Sequence, residues 1–335
     1  MVCGSAASWM IQNVVRSKGG LHNRLTDQIP LYPFSLKETE DFLQSRGLDL
    51  TRLQIVELYM TMGGVPHYLK QAKTGLSAAQ IIDHVCFSPT GLLRQEFKKL
   101  YALFDLSAQH MNIVKALASK RMGLTRTELL KAAGLKSGGT ATRHLEELEE
   151  SGFIQSRVPF EKKSSDSLYR LMDEYSLFYL QWIKKLGRRS PGKGYWLKKQ
   201  NGSSWRVWAG YAFENICLKH VLQLKEALGI SGVHTEESPW RHTSSKGSGI
   251  PGAQIDLLID RADQTINICE MKFSKNEFTI DNHCAENLRR KIDVFRKETK
   301  TRKNIFLTMV TSLGVKDNAY AKELVNNSLN LENLF

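Results

Sequence analysis

The clearest pattern of apolar and polar positions lies between 254 and 274, read as QIDLLIDRADQTINICEMKFS. Two apolar runs, IDLLI and INICEMKF, flank the polar turn Arg261-Ala262-Asp263-Gln264, which predicts a β-hairpin whose two strands are buried. Ahead of it, 208–228 (WAGYAFENICLKHVLQLKEAL) changes to a helical period and predicts one amphipathic helix carrying Glu214. After it, 281–299 predicts a second helix and 304–311 (NIFLTMVT) a further strand.

The middle of the chain carries a different pattern. Residues 77–106 read as helical, and 107–119 gives a helix with Ile113, Val114, Ala116 and Leu117 on an apolar stripe. Thr125-x-x-Glu128 is a capping box that opens a short helix ending at Gly134. A third helix over 137–151 is expected to turn Leu145 and Leu148 inward and Thr140, Thr142, Arg143 and His144 outward. Gly152 stops it, and strands over 153–158 and 167–172 enclose the polar turn Glu161-Lys162-Lys163-Ser164-Ser165. Residues 173–186 then predict a helix rich in aromatic side chains.

Charge changes this picture in one place above all. The chain has 47 Lys and Arg against 34 Asp and Glu, a net +13, which favours a polyanionic partner such as DNA. The stretch 184–206 holds eight basic residues and no acidic one, punctuated by glycines, and reads as a flexible connector. Trp182, Trp196, Trp205 and Trp208 are expected to seat it on the domain that follows. A second basic cluster, Arg289, Arg290, Lys291, Arg296, Lys297, Lys300, Arg302 and Lys303, follows the hairpin. Five scattered cysteines without ligand spacing predict reduced thiols and a cytoplasmic protein, and no apolar stretch is long enough to span a membrane.

The hairpin is where chemistry is expected. Asp256, Glu270 and Lys272 interrupt otherwise apolar strands, and charges there are costly unless paired or bound to a metal. Glu270 and Lys272 are two apart and share a strand face. If Asp256 faces the same side, two carboxylates and an ammonium converge on one spot. Carboxylates suit a hard cation such as Mg²⁺ or Mn²⁺, and a lysine can hold a water or stabilise charge on a phosphate. A plain ion pair on a sheet face is the other reading.

An Asp, a thirteen-residue gap and Glu-x-Lys resemble the active-site hairpin of the PD-(D/E)XK nuclease superfamily, and the order of helix, hairpin, helix and strand is similar as well. The resemblance implies a metal site at Asp256 and Glu270, a catalytic Lys272, and help from the helical Glu214. Gln254 and the Met271 carbonyl are expected to complete the coordination. Three short helices and a ribbon resemble a winged helix-turn-helix domain, with Lys136, Arg143, His144, Lys162 and Lys163 as nucleic-acid contacts and Arg289, Arg290 and Lys291 holding a backbone beside the hairpin. Four glutamates on the third helix make protein docking an equal alternative.

The start, GSAASWM followed by GGLHNRLTDQIPLYPFSLKE, resembles the later part of an AAA+ type ATPase of prokaryotic and archaeal kind. That likeness implies a nucleotide-sensing Ser5 and Arg24 and a helical lid over 36–73, which has Gly63-Gly64-Val65-Pro66 between its helices. No G-x-x-x-x-G-K-[ST] occurs, so ATP is expected to bind only with a complementing chain.

The expected fold class is multi-domain, mainly α and then α/β: an AAA+ remnant with helical lid over 1–73, a winged helix region over 74–186, a basic linker over 187–206 and a restriction-endonuclease-like domain over 207–335. The expected function is a metal-dependent DNA phosphodiester hydrolase. A catalytically inactive regulator that binds nucleic acid or docks on an ATP-binding partner is the alternative, with self-association also in view.

Overall fold

The computed structural model describes residues 29, 31–102, 107–120, 122–187, 191–244 and 251–335. The expectations for Ser5 and Arg24 lie outside the described residues. The chain is multi-domain, with helices first and a mixed α/β part after them.

Local signals set the first helices. Ser35 and Glu38 form a reciprocal capping box at the start of α1 (Leu36–Ser45), and Thr51 with Gln54 does the same for α2 (Arg52–Met62). The chain leaves α2 through Gly63, whose φ of 61° suits a residue without a side chain. At Gly64 a Cβ would sit 1.9 Å from the Phe34 carbonyl oxygen, so only glycine lets these two backbones meet. Their contact is sealed by the Phe34 amide, which donates to the Gly64 carbonyl at 2.7 Å.

Beyond the helices Pro66–Leu69, Ala78–Ile82 and Leu92–Tyr101 lie α3 (Ser107–Ser119), α4 (Arg126–Ala133) and α5 (Gly139–Glu150). The capping box of Thr125 and Glu128 opens α4, and Gly134 closes it in a left-handed conformation, as expected. A small antiparallel sheet in the order β1-β3-β2 follows from β1 (Leu124–Thr125), β2 (Ile154–Arg157) and β3 (Leu168–Leu171).

The predicted connector is structured where it is described. A short helix, Tyr195–Lys199, is anchored by Trp196, which is 1% exposed. Its indole stacks on Phe87 at 5.6 Å and meets Trp182 edge-on at 5.2 Å. Burying an indole offsets the ordering of a few residues, at about 25 cal/mol per Å² of apolar surface. Basic composition alone therefore misread this stretch.

The helix expected over 208–228 is two helices, α6 (Ser203–Lys219) and Val221–Ala227. They part at His220, whose Nδ1–H donates to the Ile216 carbonyl at 2.8 Å while its Nε2 accepts the Leu36 amide at 3.0 Å. The neutral imidazole thus caps α1 from across the fold, and burial holds its pKa down.

The α/β part has a five-stranded sheet in the order β4-β5-β6-β7-β8. Its strands are β4 (Thr235–His242), β5 (Ala253–Arg261), β6 (Thr265–Lys272), β7 (Asn304–Thr311) and β8 (Asn327–Leu329). The first three run antiparallel, while β6, β7 and β8 are parallel. Between β6 and β7 the chain crosses through α7 (Asn282–Thr299), capped by Asp281.

Alternate residues of the hairpin feed two cores. Leu257, Ile259, Cys269 and Met271 join a core shared with α6 and the amino-terminal helices. Ile255, Leu258, Ile266 and Ile268 join a second core with Leu288 and Phe295 of α7. Among the described residues no helix is long and apolar enough to cross a membrane, and the four described cysteines are free.

Candidate active site

Two elements far apart in sequence are brought together here. Asn215 of α6 donates to the Leu171 carbonyl at 2.8 Å, which fixes β3 against α6 and aims the adjacent Arg170 along the helix. Arg157 of β2 donates to the Leu218 carbonyl at 2.9 Å, and the Phe160 amide donates to the Pro239 carbonyl of β4 at 2.9 Å. The β2–β3 ribbon is therefore docked on the α/β part of the same chain.

The opposite wall is shaped by a bulge. The β4–β5 register shifts between Ser238, paired with Leu258, and Trp240, paired with Ile255. One extra residue on β5 turns Asp256 and Leu257 away from the regular alternation. Asp256 thereby comes to the α6 side, beside Arg170 and Glu214, while Glu270 of the neighbouring strand is paired with Lys291 of α7.

The charged groups form two adjoining nets. In the first, Arg170 Nη1 lies 3.2 Å from Asp256 Oδ1 and Nη2 lies 2.8 Å from Glu214 Oε2. The same guanidinium lies 4.7 Å from the centre of the Tyr211 ring, an arrangement that favours a cation. Gln254 Nε2 adds a hydrogen bond to Asp256 Oδ1 at 3.0 Å, and its own Oε1 is buried without a hydrogen-bond partner. In the second, Glu270 Oε1 pairs with Lys272 at 2.7 Å and Oε2 pairs with Lys291 at 2.7 Å.

Electrostatics joins the two nets. Burial first, then the charges of Asp256 and Glu270, push the Glu214 carboxyl up to about 7, against the pull of Arg170. Burial alone would raise Glu270 too, but Lys272 and Lys291 outweigh it and hold its pKa down. Lys272 is held up by Glu270 and Glu214 despite its burial. Removing a charge from one net is thus felt in the other.

Of the residues expected at this site, Glu214, Asp256, Glu270 and Lys272 are neighbours. The single point of convergence is not reached. Among the described residues, one group of three or more His, Cys, Asp or Glu ligand atoms falls within 4.8 Å, and it is not this one. Arg170 bridges two of the three carboxylates, and Lys272 and Lys291 take both oxygens of the third. Arg170 carried the same signal as the hairpin, a charge inside a short strand, and sequence reasoning passed over it.

The expected nucleic-acid contacts divide. Lys136, Arg143, Lys162, Lys163 and Arg290 are exposed. Arg289 is engaged by Glu323 through two bonds of 3.0 and 2.7 Å, and Lys291 by Glu270. His144 corrects the reading of α5: it is 1% exposed and cannot reach a groove. Ala141, His144, Leu145 and Leu148 form the buried stripe, so His144 follows the helical period rather than its polarity.

Beside Asp256 and Arg170 a cleft opens between the ribbon and the sheet, lined also by Arg157 and Arg241. Buried Arg157 Nη1 has no hydrogen-bond partner. The cleft is chemically suited to an anion. No family model, curated protein or solved structure matches the chain.

Proposed function

We propose that the α/β part is a DNA phosphodiester hydrolase domain of the PD-(D/E)XK kind, held closed by Arg170. The observation that carries this reading is the approach of Asp256 from β5 and of Glu270 with Lys272 from β6 to Glu214 of α6: Asp256 and Glu270 help to push the Glu214 carboxyl up, and Glu214 helps to hold Lys272 up. The element order α6, β4, β5, β6, α7, β7 supports it.

The donor set fits a hard divalent cation, since three carboxylates and the orphaned Gln254 Oε1 are all oxygen ligands. Asp256 and Glu270 would hold Mg²⁺ or Mn²⁺, with Glu214 and Gln254 beside them, once Arg170 withdraws. The metal would supply positive charge for the phosphate. Lys272 would hold the attacking water or the charge that develops on phosphorus oxygens. Arg157 and Arg241 would receive the backbone, with the exposed Lys136, Arg143, Lys162, Lys163 and Arg290 as a wider basic surface.

A second reading, a catalytically silent regulator, is favoured by one observation. Arg170 already bridges Glu214 and Asp256, and Lys272 and Lys291 both pair with Glu270, so three cations face three carboxylates. In that reading the three helices and ribbon are a winged helix used for docking, and a nucleotide enters only with an ATP-binding partner chain.

Nicking of supercoiled plasmid in Mg²⁺ or Mn²⁺ separates the two. Arg170→Ala, checked for folding by circular dichroism, is expected to cleave faster than the wild type. Adding Asp256→Ala or Lys272→Ala should abolish that gain. No metal-dependent cleavage by folded Arg170→Ala would establish the silent reading. Cleavage indifferent to Asp256 and Lys272 would remove this site from the chemistry altogether.

A further inference from the structure

A second cluster lies away from the sheet, between α3 and α5. His110 projects from α3, while His144 and Glu147 stand three apart on α5 and so share a face. One ligand atom from each lies within 4.8 Å of the others, the group noted above. His110 Nε2 is 2.7 Å from Glu147 Oε2, and His144 Nδ1 is 3.7 Å from the same oxygen. The two rings meet edge-on with centroids 4.6 Å apart. Arg143 Nε lies 3.6 Å from the other Glu147 oxygen and leaves Oε2 turned inward.

Burial makes this arrangement unusual. His110 is fully buried and His144 is 1% exposed, yet both ring nitrogens of His144 are without a hydrogen-bond partner. An orphaned buried donor or acceptor costs about 1–3 kcal/mol, so the site is short of one binding partner. A neutral imidazole with a free ring nitrogen is the form that ligates a metal.

We propose that His110, His144 and Glu147 form a binding site for a divalent transition metal, with Zn²⁺ as the best match. Two imidazoles and one carboxylate are borderline donors that suit zinc better than Mg²⁺ or Ca²⁺. Zinc–nitrogen bonds of about 2.0–2.1 Å in a tetrahedron set ligand atoms roughly 3.3 Å apart. The pair at 2.7 Å must open slightly and that at 3.7 Å must close slightly, both within reach of side-chain rotation. On binding, the proton shared between His110 Nε2 and Glu147 Oε2 leaves that contact, so that both atoms can face the metal. Three protein ligands leave a fourth position for water or a further group. The metal would also tie α3 to α5.

The test uses the full chain stripped with a chelator and then titrated with Zn²⁺ and, separately, Co²⁺. The expected result is one metal per chain, a rise in melting temperature, and a cobalt spectrum with visible bands but no near-ultraviolet thiolate band. His144→Leu and His110→Gln should each weaken zinc by more than about tenfold. Asp256→Ala and Cys284→Ser should leave uptake unchanged. A thiolate band, uptake lost in Asp256→Ala, uptake indifferent to both histidines, or no stoichiometric uptake by the wild type would each overturn the site.

Discussion

The two buried polar clusters of this chain are opposites. At the sheet, each of the three carboxylates is met by a cation, and most of the polar atoms are bonded. Between α3 and α5, His144 is buried more deeply, yet neither of its nitrogens is hydrogen-bonded. A ligand for the first cluster has to break existing pairs, whereas a ligand for the second completes what is missing. Satisfied and unsatisfied groups therefore predict different responses to mutation, and the sizes of those responses are a direct check on the contrast.

The largest effect is expected at Arg170. Replacing it by Met leaves the half-buried Asp256 and Glu214 facing each other without a cation, and breaking such a pair from one side costs up to about 3–5 kcal/mol. Urea unfolding at neutral pH measures this. The triple variant Arg170→Met, Glu214→Gln, Asp256→Asn should recover most of the loss, because removing all three charges removes the desolvation penalty as well. A loss below about 1 kcal/mol for Arg170→Met would mean that solvent already screens the net.

A smaller effect should appear as a slope with pH. The Glu214 carboxyl sits at about 7 in the folded chain against 4.5 ordinarily, so the folded state holds more protons than the unfolded state between those values. Stability contributed by this group therefore falls as pH rises from about 4.5 to 7, by on the order of 2–3 kcal/mol in all. Glu270 has the opposite sign: its lowered pKa gives stability that is present above the ordinary value and lost as pH falls through the lowered one. Comparing wild type with Glu214→Gln across pH 4.5–7 isolates the first term. Parallel curves would show that Glu214 is not strained by its neighbours.

How much of this was legible in the sequence differs by cluster, for physical reasons. The hairpin, α7 and β7 were legible because apolar periodicity and turn chemistry are local signals. Asp256, Glu270 and Lys272 stood out as charges in apolar strands. What answers Asp256 was not legible, since Arg170 comes from a strand 86 residues earlier and only tertiary packing brings it there. The bulge that turns Asp256 toward α6 also leaves no clear mark in an alternating pattern. His144 is the instructive miss: once Leu145 and Leu148 are read as inward, positions 141 and 144 fall on the same stripe. Polarity was allowed to overrule the period. His110, buried on α3, was passed over for the same reason.

The smallest expected effect is the sharpest test of the contrast. In the presence of a chelator, His144→Leu should change stability by no more than about 1 kcal/mol in either direction, because the leucine loses ring contacts with His110 but frees the fold of two orphaned nitrogens. His110→Leu, by comparison, should cost about 1.5–3 kcal/mol, since it strips a charged hydrogen bond from Glu147 Oε2. Adding zinc should then widen the gap between wild type and His144→Leu, because bound metal stabilises only the chain that can hold it. A loss of 2 kcal/mol or more for metal-free His144→Leu would show that its nitrogens are already bonded in solution, by ordered water, and would place the two clusters in the same satisfied class.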